Sequence, residues 1–433
     1  MKLKHLHPFL LLGFLFSGDL VAQSIENKHL DVLSYHVYLE PNISEQQIKG
    51  NVQIKFKTDP EAEKVVFDSG NLNVTEIKGR DIIAFEQVNG KTIVSFTKND
   101  SFEYEVQIFY EGNPKRGVVF SSSLPQLYTV YFSNEWMICN FSPDDRAIIK
   151  IDLLIPDQLI SIASGVLIDT LKSDNNKVLY SWNQEYETPA YTYGFAIGAF
   201  NEFNANYNNV TFNYYAHNHT PEEIEQIFKF TGDMMSFFEK KSGIPFPQNS
   251  YFQILIGNHY QEMSGFSILK NSYGELVLKD STETNLISHE LAHQWWGNMV
   301  TCKNWNHFWL NEGFATYMSA AYNEHRFGKE KYQQDINSYF DVYDKIKSNG
   351  GDKPLVFTDW SSPTKDDRNL VYFKGAYVLH LLREELGDEL FWNGILFFTQ
   401  KYYGKSVTTE DFQSAMEISA NRKLKVFFNK WVY

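Results

Sequence analysis

The stretch from Asn285 to Tyr317 constrains this chain most, because it combines the spacing His-Glu-x-x-His with a distant glutamate. His289 and His293 are four residues apart, and on a helix such residues lie on one face, one turn apart. Their ring nitrogens can therefore point at one ion, as a tetrahedral Zn²⁺ requires. Glu312 follows with 18 residues between it and His293. A second helix that brings Glu312 back would supply a third ligand.

Three protein ligands leave one position of a tetrahedral ion open, which is typical of a catalytic zinc rather than a structural one. Glu290, next to His289, could reach a water held there without being a ligand itself. Histidine and glutamate are also ordinary residues of helix surfaces. The second glutamate, Glu312 in the run Asn311-Glu312-Gly313, is what favours a catalytic zinc site over an exposed helix face.

The composition indicates a large folded protein. Of its 433 residues 43% are hydrophobic, and the 35 Phe and 26 Tyr are enough for the cores of two or three domains. The net charge of −14 argues against nucleic acid or an anionic membrane as a partner, since both need clustered Lys and Arg.

The first 23 residues have the pattern of a signal peptide. Lys2 and Lys4 precede the apolar run Pro8–Phe16, which is too short to span a bilayer, and Leu20-Val21-Ala22 offers a cleavage site. No later run reaches the length of a membrane-spanning helix. We therefore expect an exported protein, periplasmic or extracellular, with no integral membrane segment after signal removal.

The chain has two cysteines, Cys139 and Cys302, far apart in the sequence. Export would permit a disulfide between them, but spacing cannot show that they meet. Two buried free thiols are the favoured interpretation, and the disulfide stays open.

Periodicity predicts an α+β multidomain chain. Val52, Ile54 and Phe56 alternate with polar residues as in a half-buried strand, and similar runs with turn signals between them continue to about residue 204. Residues 24–204 are therefore predicted to form an antiparallel β-sandwich or saddle. Residues 205–433 are mainly helical, beginning with a capping box at Thr220 and a helix that ends at Gly243.

The run Tyr372-Phe373-Lys374-Gly375 places a tyrosine hydroxyl where it could stabilise an oxyanion, although spacing alone favours a core tyrosine. Together with the zinc motif, this run resembles the gluzincin aminopeptidases, the family of aminopeptidase N and leukotriene-A hydrolase. Three further segments are similar to that family: Trp136–Lys150, Tyr193–Phe200 and Trp295-Trp296-Gly297-Asn298.

The resemblance implies a β saddle domain over 24–204 and a thermolysin-like catalytic domain over 205–433. It also implies one Zn²⁺ on His289, His293 and Glu312, with peptides as substrates. Glu290 would then be the general base, and Tyr372 would stabilise the oxyanion.

The sequence departs from the family where relatives read a free peptide N-terminus with Gly-x-Met-Glu-Asn. The corresponding run is Gln261-Glu262-Met263-Ser264-Gly265, and if Met263 is the anchor, Ser264 stands in the place of the amine-binding glutamate. Glu262 is two residues earlier, on the same face of a strand. It could supply the carboxylate or be a solvated edge charge. A second amine-binding residue could be Gln126 or Glu135. The candidate substrate-binding residues are therefore Glu262, Met263, Ser264 and Gly265, with Gln126 or Glu135 from the β domain.

A second departure is that the chain ends near the close of the family's catalytic domain. Without the helical domain that roofs the site in relatives, we expect an open site that admits longer peptides.

The resulting hypothesis is an exported zinc peptidase that removes N-terminal residues. One alternative is a zinc peptidase with no strict need for a free N-terminus. Another is a secreted zinc-binding protein without catalysis, although such a protein would not need Glu290.

Overall fold

The computed structural model describes residues 30–433 except 122 and 361. The predicted signal peptide lies outside the described residues. A β-rich first half is followed by a mainly helical second half, which confirms the α+β class. Each half has its own large hydrophobic core.

The first half contains fourteen strands within the residues that the structure describes. They are β1 (Leu30–Leu39), β2 (Ile48–Thr58), β3 (Lys64–Asp68), β4 (Asn73–Lys78), β5 (Ile82–Val88), β6 (Lys91–Phe96), β7 (Glu103–Gly112), β8 (Val118–Phe120), β9 (Leu127–Thr129), β10 (Arg146–Pro156), β11 (Ile160–Ala163), β12 (Val166–Ser173), β13 (Lys177–Pro189) and β14 (Phe195–Gly198). They form sheets of seven, four and three strands. The seven-stranded sheet has the order β12-β13-β10-β1-β2-β7-β4.

The predicted alternation explains how this large sheet builds its core. Val52, Ile54 and Phe56 of β2 are fully buried, and Ile54 lies opposite Tyr35 of β1. On its other side Tyr35 lies opposite Ile149 of β10. Because side chains opposite each other share a face, the three strands present one apolar surface. The prediction of antiparallel strands holds except that β1 and β10 are parallel.

The second half begins with strands and continues with helices around a five-stranded sheet. Its strands are β15 (Asn201–Tyr207), β16 (Val210–Ala216), β17 (Ser250–Leu255), β18 (Gln261–Met263), β19 (Phe266–Leu269), β20 (Val300–Cys302) and β21 (Lys405–Val407). The five-stranded sheet has the order β15-β16-β17-β19-β18, so β18 is an edge strand. The predicted domain boundary at residue 204 falls inside β15, which pairs with β16.

Eleven α-helices occur in the described part of the chain. They are α1 (Pro221–Phe228), α2 (Thr231–Ser242), α3 (Asn271–Lys279), α4 (Asn285–Ala292), α5 (Trp309–Phe327), α6 (Lys329–Ser348), α7 (Lys365–Asn369), α8 (Gly375–Leu386), α9 (Asp388–Tyr402), α10 (Thr409–Ala420) and α11 (Lys425–Trp431). None of the described helices is long and apolar enough to cross a membrane.

The predicted first helix is two helices in the structure. The capping box is confirmed. The Thr220 side chain accepts a hydrogen bond from the Glu223 backbone N–H, and the Glu223 side chain accepts one from the Thr220 backbone N–H. The helix then breaks between Phe228 and Thr231, and α2 ends at Gly243 in a left-handed conformation, as expected.

The two glycines of the Asn-Glu-Gly and Tyr-x-Lys-Gly runs meet each other. A Cβ placed on Gly313 of α5 would lie 3.0 Å from the Gly375 Cα and 3.1 Å from the Val371 carbonyl oxygen. The backbones of α5 and α8 therefore touch at this crossing. Because Glu312 and Tyr372 are next in sequence to the crossing, it sets the distance between these two side chains.

Gly313→Ala should accordingly lower the free energy of unfolding by about 2 kcal/mol, since backbone atoms at 3.0 Å cannot turn away from an added methyl group. It should also weaken zinc binding by displacing Glu312. Urea titration with and without zinc measures both effects. Gly351→Ala is the comparison, because Gly351 is partly exposed beyond the end of α6 and the nearest atoms to its Cβ all belong to Ile346, with 3.1 Å to Cγ2 and 3.3 Å to the carbonyl oxygen. Equal stability of the two variants would contradict the tight crossing.

The two cysteines are both buried, and they do not form a disulfide. Burial raises the pKa of the Cys139 and Cys302 thiols above the usual range. The thiols therefore stay protonated and pack as small apolar groups, as the favoured interpretation of the sequence predicted.

Candidate metal centre and active site

Three ligand atoms converge at the start of α5. The Nε2 atoms of His289 and His293 are 3.0 Å apart, and each is 3.4 Å from Oε2 of Glu312. Zinc bonds of about 2.0–2.2 Å to nitrogen and oxygen place tetrahedral donors about 3.3–3.5 Å from one another. The triangle therefore has the size of one face of a zinc tetrahedron.

The chemistry of this donor set also fits zinc. All three side chains are buried, and Oε2 of Glu312 has no hydrogen-bond partner among the residues that the structure describes. Burial alone would raise the pKa of Glu312, but His293 and His289 lower it to about 2, so its carboxylate is ionised. A buried anion of this kind, facing two imidazoles, needs a cation between them.

Contacts at the Nδ1 atoms orient the rings of the two histidines. Nδ1 of His293 is 3.1 Å from the Trp296 carbonyl oxygen, a bond that leaves the lone pair of Nε2 toward the ligand cluster. Nδ1 of His289 is 3.4 Å from the Thr316 hydroxyl. The α4 helix stops after Ala292, and Gly297 adopts a φ of +142°, where a Cβ would lie 2.7 Å from Nδ1 of His293. Gly297 therefore leaves room for the second histidine.

Asn311 explains why the third ligand belongs to an Asn-Glu-Gly run. Its side-chain oxygen accepts from the Cys302 backbone, and its side-chain nitrogen donates to the Tyr191 hydroxyl. Tyr191 in turn donates to the Gly297 carbonyl oxygen. This buried network joins the start of α5, β20, the β domain and the turn after α4, and thereby fixes Glu312 against the two histidines.

The predicted base and oxyanion donor lie at the same centre. Both carboxylate oxygens of Glu290 are buried and have no hydrogen-bond partner among the described residues, so they can take a proton from a reactant. The Tyr372 ring stacks on His289 with 6.0 Å between ring centroids. Tyr372 belongs to a π-helical turn, Leu370–Lys374, a distortion frequent at functional sites. Burial raises the pKa of its phenol, which therefore remains a hydrogen-bond donor.

The edge strand β18 brings Glu262 into the site. Ligand atoms of Glu262, Glu290 and His293 all lie within 4.8 Å of one another. Gln261 donates a 2.7 Å hydrogen bond from Nε2 to Oε2 of Glu262 and so fixes the carboxylate. Burial raises the pKa of Glu262 to about 7, although His293 opposes the shift. Of the two possibilities left by the sequence, the geometry is that of a site carboxylate and not of a solvated edge charge.

The other three residues of the run face elsewhere. The Met263 side chain is buried in the core of the β domain, and the Ser264 hydroxyl contacts the Tyr186 hydroxyl at 3.1 Å. Gln294 of the zinc-helix turn accepts from the Gly265 backbone and donates to the Met263 carbonyl oxygen. These residues therefore attach β18 to the turn after α4 and to the β domain instead of pointing toward the ligand cluster.

A residue that the sequence analysis missed stands beside Glu262. Tyr131 has a φ of +55°, a left-handed conformation that costs a non-glycine residue free energy. Its backbone N–H donates to the Gln261 side-chain oxygen at 3.0 Å. Burial and the charges of Glu262 and Glu290 raise the pKa of its hydroxyl. Gln261 thus links Tyr131 to Glu262, and no sequence pattern signals a strained backbone.

The two candidates for a second amine-binding residue have other neighbours. Glu135 forms an ion pair with Arg116 at 2.8 Å and accepts from Asn71, all within the β domain. Gln126 packs beside Gly198 of β14. Tyr131, in contrast, lies close enough to Glu262 for the charge of that carboxylate to raise the pKa of the Tyr131 hydroxyl.

Comparison with known proteins agrees with this geometry. Residues 227–431 match the peptidase family M1 domain, a segment that holds Glu262, the three zinc ligands, Glu290 and Tyr372. A probable aminopeptidase 1 of Sulfurisphaera tokodaii is 24% identical over 93% of this chain and 53% of its own length. Leucine aminopeptidase 2 of Aspergillus oryzae is 26% identical over 68% of this chain and 49% of its own. The chain thus spans about half the length of the curated relatives it matches.

The fold has a solved counterpart. A mutant M1 zinc metallopeptidase from Deinococcus radiodurans, crystallised with a Tyr-Ser-Ala substrate, superposes with a TM-score of 0.80 at 21% identity and 94% coverage of both chains. Fold and ligand triangle define a zinc metalloprotein with a His-Glu-x-x-His helix and a distant glutamate ligand. Within that class, the match of residues 227–431 to the peptidase family M1 domain and the similarity to aminopeptidases support the gluzincin aminopeptidase family that the sequence resembles.

Proposed function

We propose that this protein is a zinc-dependent aminopeptidase, which hydrolyses the first peptide bond of peptides with a free N-terminus. The observation that carries the proposal is the buried carboxylate of Glu262, which lies within 4.8 Å of the Glu290 and His293 ligand atoms. A substrate ammonium bound to Glu262 would place the first peptide bond beside Glu290. The similarity to a probable aminopeptidase 1 and to a leucine aminopeptidase 2 supports the same activity.

The side chains of the site divide the chemistry among them. When bound, zinc acidifies a water molecule and polarises a carbonyl group. Glu290 accepts the proton of the attacking water at a carboxylate oxygen and delivers it to the amide nitrogen that leaves as an amine. Tyr372 donates its phenolic hydrogen to the oxygen that becomes negatively charged. Because the site is buried, these interactions compete little with bulk water.

The substrate ammonium would be recognised by the carboxylate of Glu262 and by the residues that close this end of the site. Glu262 accepts hydrogen bonds from the substrate ammonium, and Gln261 keeps the carboxylate in place. Tyr131, whose backbone N–H donates to Gln261, lies close enough to Glu262 for that charge to raise the pKa of its hydroxyl. A peptide that continued past its N-terminus would therefore meet Gln261 and Tyr131, so the enzyme removes single residues.

A free peptide and its N-acetylated form test this proposal. The free peptide should be hydrolysed at least 100-fold faster in kcat/KM, because acetylation removes the charge that Glu262 binds and adds atoms at the closed end. Hydrolysis should stop on zinc chelation and return with zinc. Equal rates for the two peptides would instead indicate a zinc peptidase without a requirement for a free N-terminus. A lack of hydrolysis by the zinc-loaded protein would favour a zinc-binding protein.

Export is a further part of the proposal. It is supported by the charged start, apolar core and Ala22 site of residues 1–23. Cell fractionation and N-terminal sequencing of the mature protein check it. We expect a periplasmic or extracellular protein that begins close to residue 24. A full-length chain in the cytoplasm would contradict export without affecting the proposed chemistry.

A further inference from the structure

A groove of about 510 Å³ begins at Tyr372 and leads away from the ligand cluster. One wall is formed by α3 and the start of α4, and the opposite wall by the end of α6 and by α7. Its apolar lining includes Leu276, Leu286, Ile346 and Phe373. The groove therefore has the volume and the mixed apolar and polar lining that a short peptide segment requires.

The groove lies on the side of the site toward which the rest of a bound peptide would extend. Glu262 and Gln261 are buried, and Tyr131 stands beside them, so the end that would hold the substrate ammonium is closed. Tyr372 lines the groove and also touches the zinc-ligand cluster through His289. A peptide whose first carbonyl faces Tyr372 can therefore continue into this groove.

The charge of the groove is opposite to that of the whole chain. Its basic lining residues are Lys270, Lys279, Lys345, Lys365 and Arg368. Its acidic lining residues are Asp280, Glu283 and Asp366. The chain as a whole has a net charge of −14, so an excess of cations here is a local feature.

Two of the acidic residues already have partners. Asp280 accepts hydrogen bonds from the backbone and hydroxyl of Thr282, and Glu283 accepts from the Tyr273 hydroxyl at 3.0 Å. Among the described residues, no ion pair within 4.0 Å is recorded for four of the cations. These are Lys270, Lys345, Lys365 and Arg368. Because five cations face three carboxylates, the lining of the groove has an excess of positive charge toward a ligand.

We propose that this groove binds the part of the substrate that follows the cleaved bond and prefers peptides that carry carboxylates there. The inference rests on the proposed aminopeptidase function and adds a substrate class to it. The shared chemistry is the carboxylate, whether of an acidic side chain or of a free C-terminus. The apolar floor holds the backbone and aliphatic stems, while Lys345, Lys365 and Arg368 meet the negative charge.

Matched pentapeptides test the preference. One has Leu followed by four Ala, one has Asp at the third and fourth positions, and each is made with a free and an amidated C-terminus. At low salt we expect kcat/KM to be about tenfold higher for the Asp peptide, and the difference to shrink at 0.5 M salt. A loss on amidation assigns the C-terminal carboxylate as a source of affinity. Equal kcat/KM for all four peptides would overturn the inference.

The double variant Lys345→Glu/Lys365→Glu identifies the groove as the origin of the preference. Both lysines are exposed and on separate helix ends, so the fold should tolerate the change. We expect the ratio of kcat/KM for the Asp peptide to kcat/KM for the Ala peptide, both measured with this variant, to fall to one or below. An unaltered preference would overturn the assignment to these residues.

Binding measurements separate this inference from the proposed function. Calorimetry with zinc-loaded protein carrying Glu290→Gln reports the affinity for the same peptides without cleavage. Tighter binding of the Asp peptides, lost in the triple variant with both lysine changes, supports the groove even if no peptide is hydrolysed by the unchanged protein. Equal affinity for neutral and acidic peptides overturns it, whatever the catalytic activity.

Discussion

Glu290→Gln is expected to lower kcat by about 10³-fold while the zinc content stays at one per chain. The amide keeps the size of the carboxylate, but it cannot take a proton from water. Zinc should remain because His289, His293 and Glu312 are unchanged, and their ligand atoms already form a triangle with sides of 3.0, 3.4 and 3.4 Å. Kinetics on a leucine peptide and metal analysis of the same sample give both quantities.

The matched control is Glu312→Gln, the same chemical change on a predicted ligand. It should reduce zinc content and activity together, and added zinc should restore part of the activity. Glu290→Gln should not respond to added zinc. If Glu290→Gln kept more than a tenth of the original kcat, Glu290 would not be the base, and another group near the cluster would have to take the proton.

The contrast between these two glutamates shows what local sequence can predict. A helix repeats every 3.6 residues, so His-Glu-x-x-His fixes the relative directions of three side chains without knowledge of the rest of the fold. The structure does place His289 and His293 together, with Glu290 beside them. The alternating residues of β1, β2 and β10 were predictable for the same reason, since a strand repeats every two residues.

Features that depend on the meeting of distant segments were not predictable from local pattern. The crossing of Gly313 with Gly375 involves two helices, and either glycine alone indicates only a flexible position. The left-handed backbone of Tyr131 is stabilised by Gln261, 130 residues away. The break between α1 and α2 likewise lies inside a continuous helical pattern. Tertiary contacts decide all three.

The identity of the amine-binding residue likewise depends on how distant segments meet in the fold. Aligning Met263 with the family's methionine leaves Ser264 in the glutamate position. The strand register has Glu262 opposite Ser267 and Met263 opposite Phe266, with Ser264 and Gly265 in the turn. Side chains of neighbouring strand residues point to opposite faces, so Met263 enters the β-domain core and Glu262 faces the zinc ligands. Aligning the motif letters alone selects Ser264, whereas the face of the sheet selects Glu262.

Glu262→Gln and Ser264→Ala therefore form the second decisive comparison. Replacing Glu262 should lower kcat/KM for peptides with a free N-terminus by about 100-fold, because the substrate ammonium loses a buried, charge-assisted partner. The N-acetylated peptides, which carry no ammonium, should change little, so the discrimination between the two forms should collapse. Ser264→Ala should leave that discrimination intact, since its hydroxyl contacts Tyr186.

Zinc analysis of both variants separates recognition from assembly of the site. Glu262 is not one of the three atoms in the ligand triangle, so Glu262→Gln should retain zinc while KM rises. If Ser264→Ala lost the preference for a free N-terminus and Glu262→Gln kept it, the amine site would have to be assigned to the turn of the β18–β19 hairpin. Because Glu262 and Glu290 share one buried space, the expected outcome is that the carboxylate of Glu262 selects the bond that Glu290 helps to cut.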